Sequence, residues 1–151
     1  LFDARSAPLP RGVKAPKTKR KRGENAEDLF ARQCREYGLP APAREFEFAK
    51  KAIGRRWRFD FAFHDFMLAV EIEGLVVANA MIGGKKRLVS MGRHAHADGF
   101  REDNIKYASA AVLGWTVLRF DPRQVKDGTA IEYTQRVLAA RGWKNPGDPN
   151  S

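Results

Sequence analysis

The tightest constraint in this chain is a pair of neighbouring runs, Trp57-Arg58-Phe59-Asp60-Phe61-Ala62-Phe63 and Met67-Leu68-Ala69-Val70-Glu71-Ile72-Glu73-Gly74. Both read as β-strands, in which successive side chains go to opposite faces. The first run predicts Trp57, Phe59, Phe61 and Phe63 on one face and Arg58, Asp60 and Ala62 on the other. The second predicts Leu68, Val70 and Ile72 opposite Ala69, Glu71 and Glu73. His64-Asp65 reads as the hairpin connection. One face is then an aromatic and aliphatic layer, and the other gathers three carboxylates. Like charges a few ångströms apart repel, so a fold gains nothing by massing Asp60, Glu71 and Glu73. A divalent cation would reverse that sign.

The acids sit in a strongly basic chain. Its 151 residues carry a formal net charge of +10, which implies an anionic partner. Nucleic acid comes first and an acidic membrane surface second. The length suits one domain. No apolar run approaches the ~18 residues of a transmembrane helix, so no membrane-spanning segment is expected; DNA, and no membrane, is the expected partner, and the amino end lacks a secretory apolar core. The single cysteine, Cys34, excludes an internal disulfide and a cysteine-based zinc cluster, and it fits a reducing cytoplasm. The chain opens on Leu1 rather than Met, which reads as a piece of a longer protein.

Residues 1–23 read as a basic, disordered tail: Arg11 to Arg22 holds seven Lys or Arg, among them Lys17, Lys19, Arg20, Lys21 and Arg22, and no acid. Such a segment serves as an arm along phosphates or merely keeps the chain soluble. Residues 24–142 read as the folded domain and 143–151 as a frayed end. Gly23 to Gly38 predicts a helix with Ala26, Leu29, Phe30, Gln33, Cys34 and Tyr37 on its inner side. Glu27 lies nearest the edge of that stripe; it either leans into a site or simply favours the helix dipole. A strand over 44–48 follows, then a basic turn with Lys50, Lys51, Arg55 and Arg56 around Gly54. Asn79 to Gly99 predicts a glycine-rich loop carrying Lys85, Lys86, Arg87, Arg93, His94 and His96. Phe100 to Leu113 predicts a helix with Phe100, Asn104, Tyr107, Ala108 and Ala111 inward, which turns Lys106 toward solvent. Trp115 to Phe120 predicts a strand that Asp121 and Pro122 end, and Thr129 to Arg141 a last helix. The order is helix, three strands, helix, strand, helix: an α/β fold with a mixed central sheet flanked by helices.

Asp60 and Glu71 on neighbouring strands offer two hard oxygen ligands, and the Ile72 carbonyl a third. A cation there would hold a phosphate oxygen and lower the pKa of a bound water, the chemistry of metal-assisted phosphodiester hydrolysis. Glu73 projects into the same space, to bind a second metal or orient the nucleophile. The ordinary alternatives are an Asp60 paired with Arg56 or Arg58 and an exposed acidic strand face.

Glu27 on a helix, Asp60 on a strand and Glu71-Ile72-Glu73 on the next strand together resemble the PD-(D/E)XK nuclease superfamily. The later run Gly92-Arg93-His94, Gly99-Phe100, Asp103, Lys106-Tyr107 and Gly114-Trp115-Thr116-Val117-Leu118-Arg119-Phe120 is similar to the small phage and bacterial endonucleases related to very-short-patch-repair endonucleases. The resemblance covers roughly residues 24–140. It implies a restriction-endonuclease-like core, Mg²⁺ or Mn²⁺ as cofactor, DNA as partner and the cytoplasm of a bacterial or phage-infected cell. It makes Asp60 and Glu71 the metal carboxylates and Glu27 their helper. Glu73 stands where most of the superfamily keeps a catalytic lysine, so the positive charge must come from elsewhere. Lys106 and His94 are the candidates; His64 and His96 have weaker claims.

The expected function is therefore a metal-dependent DNA endonuclease. Its cations would bind phosphates without reading sequence, which favours branched or junction DNA. Holliday-junction cleavage is the sharpest version and requires a homodimer presenting two sites. The competing functions are a DNA-binding module that lost the chemistry, which the missing lysine favours, and an RNA-processing nuclease.

Overall fold

A computed structural model of the chain describes residues 19, 21–74, 77–82, 84–90 and 97–146. Lys17, Arg20, Arg93, His94 and His96 lie outside these residues, as does most of the basic run before residue 23. In chain order the elements are α1 (Ala26–Glu36), β1 (Ala43–Glu47), α2 (Lys50–Ile53), β2 (Arg58–Phe63), a 3-10 turn (His64–Phe66), β3 (Leu68–Ile72), β4 (Val77–Ile82), β5 (Lys85–Ser90), α3 (Ala97–Val112), β6 (Thr116–Phe120), α4 (Pro122–Lys126) and α5 (Thr129–Ala140). The architecture is α/β with a four-stranded mixed sheet in the order β1-β2-β3-β6, flanked by helices. The β1–β2 and β2–β3 pairs are antiparallel, and β3–β6 is parallel. No described helix is long and apolar enough to cross a membrane.

Local chemistry explains the element ends. The Asn25 side chain accepts from the Asp28 amide at 2.7 Å and caps α1, while Glu27 and Asp28 lie in its first turn. Leu29, Phe30, Gln33 and Cys34 face the core, as their spacing predicts. Gln33 ties α1 to α4 by donating to the Val125 carbonyl at 3.0 Å. Asp121 caps α4 in a reciprocal capping box with Gln124, with Pro122 at the first turn.

The sheet separates two apolar layers. On one side, α1, α4 and α5 cover Phe61, Phe63, Leu68, Val70 and Phe120 with Leu29, Phe30, Val125, Ile131 and Leu138. On the other, Phe48, Phe59, Ala62, Ala69 and Trp115 pack with Ala110 of α3. Trp57, just before β2, also belongs to this second layer, so Trp57, Phe59, Phe61 and Phe63 do not share one face as predicted. The alternation breaks at Asp60. Opposite it Glu45 adopts φ 50°, and the β2–β3 ladder stops at Phe61↔Val70.

Other parts also depart from expectation. The stretch read as a loop over 79–99 holds most of the β4–β5 hairpin, a separate two-stranded sheet in register from Val77↔Ser90 to Ile82↔Lys85. The basic turn before β2 contains α2, closed by Gly54 in the left-handed region at φ 69°. A further short helix, α4, follows β6 where only a strand end was expected. Trp143, the first residue of the segment read as frayed, packs on the α1–α4–α5 core, and its amide donates to the Leu138 carbonyl at 3.0 Å.

Candidate functional site

Strand alternation sends Glu71 away from Val70 and onto the α3 side of the sheet. It is 7% exposed, the only charged side chain that is buried among the described residues. Burial pushes its carboxyl above the ordinary carboxylate range; Lys106 works against that rise, and the nearby charges of Asp60 and Glu73 add to it. Its partner is the Lys106 ammonium, which donates to Glu71 Oε1. Lys106 Nζ also lies 5.9 Å from the Phe59 ring centroid and 5.4 Å from that of Tyr107.

This placement corrects the helical projection for α3. Phe100, Asn104, Ala108 and Ala111, predicted inward, are exposed, and of that set Tyr107 alone is partly buried. The helix instead turns Asp103, Lys106, Tyr107 and Ala110 inward, spaced by three, one and three residues along one face. Lys106 is not solvated: its side chain retains 14% of its exposure. The reason is electrostatic. A half-buried lysine is costly by itself, but Glu71 needs a counter-charge, and the lysine stem covers aromatic surface on the way.

Asp60 lies where β2 and β3 part. Its Oδ2 accepts from the Ile72 amide at 2.7 Å, replacing the main-chain partner that the ladder no longer supplies. The bond fixes the Asp60 carboxylate beside the Ile72 main chain and next to Glu71 along β3. Ile72 packs its own side chain on the opposite core.

Glu73, expected as a metal ligand, is engaged by Arg119 and Tyr107. Its Oε1 accepts from Arg119 Nε at 2.8 Å, from Arg119 Nη2, and from the Tyr107 hydroxyl at 3.4 Å. Arg119 stands opposite Glu71 in the parallel β3–β6 register and supplies a strong cation that turns Glu73 aside. Glu27, expected to assist the acids, is paired with an arginine of β1. Arg44 of β1 donates to its Oε2 at 3.1 Å and to Asp28 Oδ1 at 3.0 Å, so an edge-strand arginine takes up the helix acid. Among the described residues no three of His, Cys, Asp and Glu gather closely enough to hold a metal ion. His64, on its 3-10 turn, lies against the Phe46 and Trp115 rings at 5.6 and 5.9 Å rather than at the acids.

The donor set still suits one hard cation. Mg²⁺ takes one or two carboxylates and keeps several waters, and Asp60 and Glu71 provide two carboxylates on strands that have just separated. Glu73 is paired with Arg119 in this arrangement.

The predicted cations form a rim rather than an unopposed patch. Glu47 accepts from Lys50 at 3.2 Å, Arg56 at 3.4 Å and Arg58 at 3.1 Å, three cations for one carboxylate. Arg55 pairs with Glu102 at 3.8 Å and lies over the Trp57 ring at 5.2 Å. Lys51, Lys85, Lys19, Lys21 and Arg22 are exposed. Lys86 and Arg87 belong to β5. The cations on β2 and α2 lead directly into Asp60, because Arg58 precedes it by two residues.

The sequence reading assigned Tyr107 to a buried face and Arg119 to a strand, with no functional role for either. Tyr107 is partly buried, and its phenol is pushed well above its ordinary range by burial first and by the Glu71 charge second. The signal for both was the register itself: a cation opposite Glu71 and an aromatic beside Lys106 on the covering helix. Compared with known proteins, the chain matches no family model, no curated protein and no solved structure.

Proposed function

We propose that the chain is a metal-dependent endonuclease acting on DNA, with a restriction-endonuclease-like core. One observation carries this reading: Lys106 of α3 pairs with Glu71 and supplies, from a different element, the positive charge that the strand lacks at Glu73. A purely structural salt bridge has no need of Asp60 beside it, and two neighbouring acids with one lysine is an expensive way to join a helix to a sheet.

Asp60 and Glu71 would hold one Mg²⁺ or Mn²⁺, which when bound supplies Lewis acidity toward a phosphate oxygen. Lys106 would stabilise the negative charge that develops on the phosphoryl oxygens, helped by the partly water-excluded setting between Phe59 and Tyr107. The Ile72 amide holds Asp60 in place. The exposed cations of α2, β2 and the segment before α1 would track the backbone without reading bases, which suits branched or junction DNA more than a fixed sequence. Junction resolution would need two copies of the chain.

The competing module without chemistry has one observation in its favour: Glu71 is already neutralised by Lys106. Incubation with a four-way junction, linear duplex and single-stranded RNA, each with Mg²⁺ and with chelator, separates the possibilities. The expected result is Mg²⁺-dependent cleavage of DNA, strongest on the junction. Binding of all DNA substrates without cleavage would establish the inactive module, and cleavage of RNA alone would move the substrate class.

A further inference from the structure

We infer that Arg119 grips a phosphate oxygen of the substrate, and that Glu73 and Tyr107 position its guanidinium instead of serving a metal. The inference rests on the nuclease reading for the identity of the ligand, a phosphodiester, and on geometry for the roles.

Arg119 lies directly across from Glu71 in the parallel pair, so its side chain leaves the sheet on the same face as the acid. Its guanidinium is held from two directions. Nε and Nη2 both donate to Glu73 Oε1, and Cζ stacks over the Tyr107 ring at 4.3 Å. The Tyr107 hydroxyl donates to the same carboxylate oxygen, which closes a three-residue ring across β3, β6 and α3. A guanidinium carries five N–H donors in a planar fork, and among the described residues Nη1 makes no hydrogen bond. The Arg119 side chain retains 40% of its exposure. The fork is therefore oriented yet keeps donors for a ligand.

An ordinary exposed salt bridge contributes little and fixes little. Here the aromatic stack and the shared oxygen remove rotamer freedom that a phosphate-binding arginine otherwise loses on binding. Glu73 also stops Arg119 from reaching across to Glu71, which would otherwise compete with Lys106 for the same carboxylate. The glutamate at this place is then no defect in the site. It aims a second cation, Arg119, from two residues beyond Glu71.

The test uses the full chain, labelled with ¹⁵N, in chelator, so it reads independently of cleavage. The Arg119 Nε–H resonance is identified by its absence in Arg119→Lys, with Arg119→Gln as a second reference. It should shift on addition of a duplex oligonucleotide, keep most of that shift in Glu73→Gln, which still accepts, and lose at least about half of it in Glu73→Ala. Mn²⁺ affinity measured by calorimetry should stay within about twofold in Glu73→Gln. An Arg119 resonance that DNA leaves unmoved would overturn the phosphate role. A loss of about tenfold or more in Mn²⁺ affinity in Glu73→Gln would make Glu73 a metal ligand and overturn the positioning role. A wild-type chain that shifts Arg119 on DNA but never cleaves breaks the nuclease reading alone. One that cleaves with Arg119 unmoved breaks this inference alone.

Discussion

The two faces of the central sheet are built on opposite terms. The α1–α4–α5 face is closed by large apolar side chains: Phe30 meets Phe61 edge-on at 4.9 Å, and Leu29, Leu68, Val70, Ile131 and Leu138 are sealed around them. The α3 face has its own apolar layer, with Phe48 stacked on Phe59 at 4.0 Å beside Trp115 and the small Ala62, Ala69 and Ala110, but at the splayed end it carries Asp60, Glu71, Lys106, Tyr107, Glu73 and Arg119. The first face gives up surface to water and returns stability. The second buries charge, which returns little stability and makes sense where charge has chemistry to do. A chain this size needs only one thick core, and it places the polar cluster on the side that one helix covers.

Phe30→Ala probes that contrast with the largest effect. It should destabilise the protein by about 3–5 kcal/mol in denaturant unfolding, while cleavage per folded molecule, measured well below the melting transition, stays within about twofold. A comparable loss of specific activity would mean that the two faces are not independent.

Lys106→Met is the reverse case. It should cost about 2 kcal/mol at neutral pH, less than the roughly 3–5 kcal/mol of a fully buried pair, because Glu71 can take up a proton. Its pH dependence has a definite sign. Burial already raises Glu71 above its unfolded value, and loss of Lys106 removes the main influence opposing that rise. A carboxyl whose folded pKa is raised binds more protons folded than unfolded, so the variant is most stable in acid and loses stability as pH rises above the ordinary carboxylate range. Unfolding free energies measured across that window should show the deficit against wild type growing with pH. Cleavage should fall by about a hundredfold or more, as for loss of one preorganised charge at the reacting group. A flat deficit with normal cleavage would reduce Lys106 to an ordinary surface lysine.

The sequence made the closed face legible because hydrophobicity alone dictates it. Leu29, Phe30, Gln33 and Cys34 repeat at helical spacing behind an Asn25 cap, and alternation in β3 places Leu68 and Val70 correctly. The same logic fails on the α3 face. There the helix is turned by what its polar residues reach: Phe100 and Ile105 lie outside at 55% exposure each, while Lys106 goes in to Glu71. A projection that ranks positions by apolarity cannot see that choice. Asp60 and Glu71 were legible as a pair, but Glu73 was not separable from them, because its partner Arg119 is 46 residues away in the chain. The β4–β5 hairpin was hidden by glycines and charges that blur a two-residue period. The capping box at Asp121 and Gln124 could have announced α4, although five residues are too few to show a helical stripe.

The central claim is that Asp60 and Glu71, and not Glu73, form a metal-binding pair beside Lys106. Crystals grown with Mn²⁺ and measured by anomalous scattering test it most directly. The account predicts one anomalous peak bonded to carboxylate oxygens of Asp60 and Glu71, with Glu73 still on Arg119. No peak at this pair, or a peak bonded to Glu73, would contradict it.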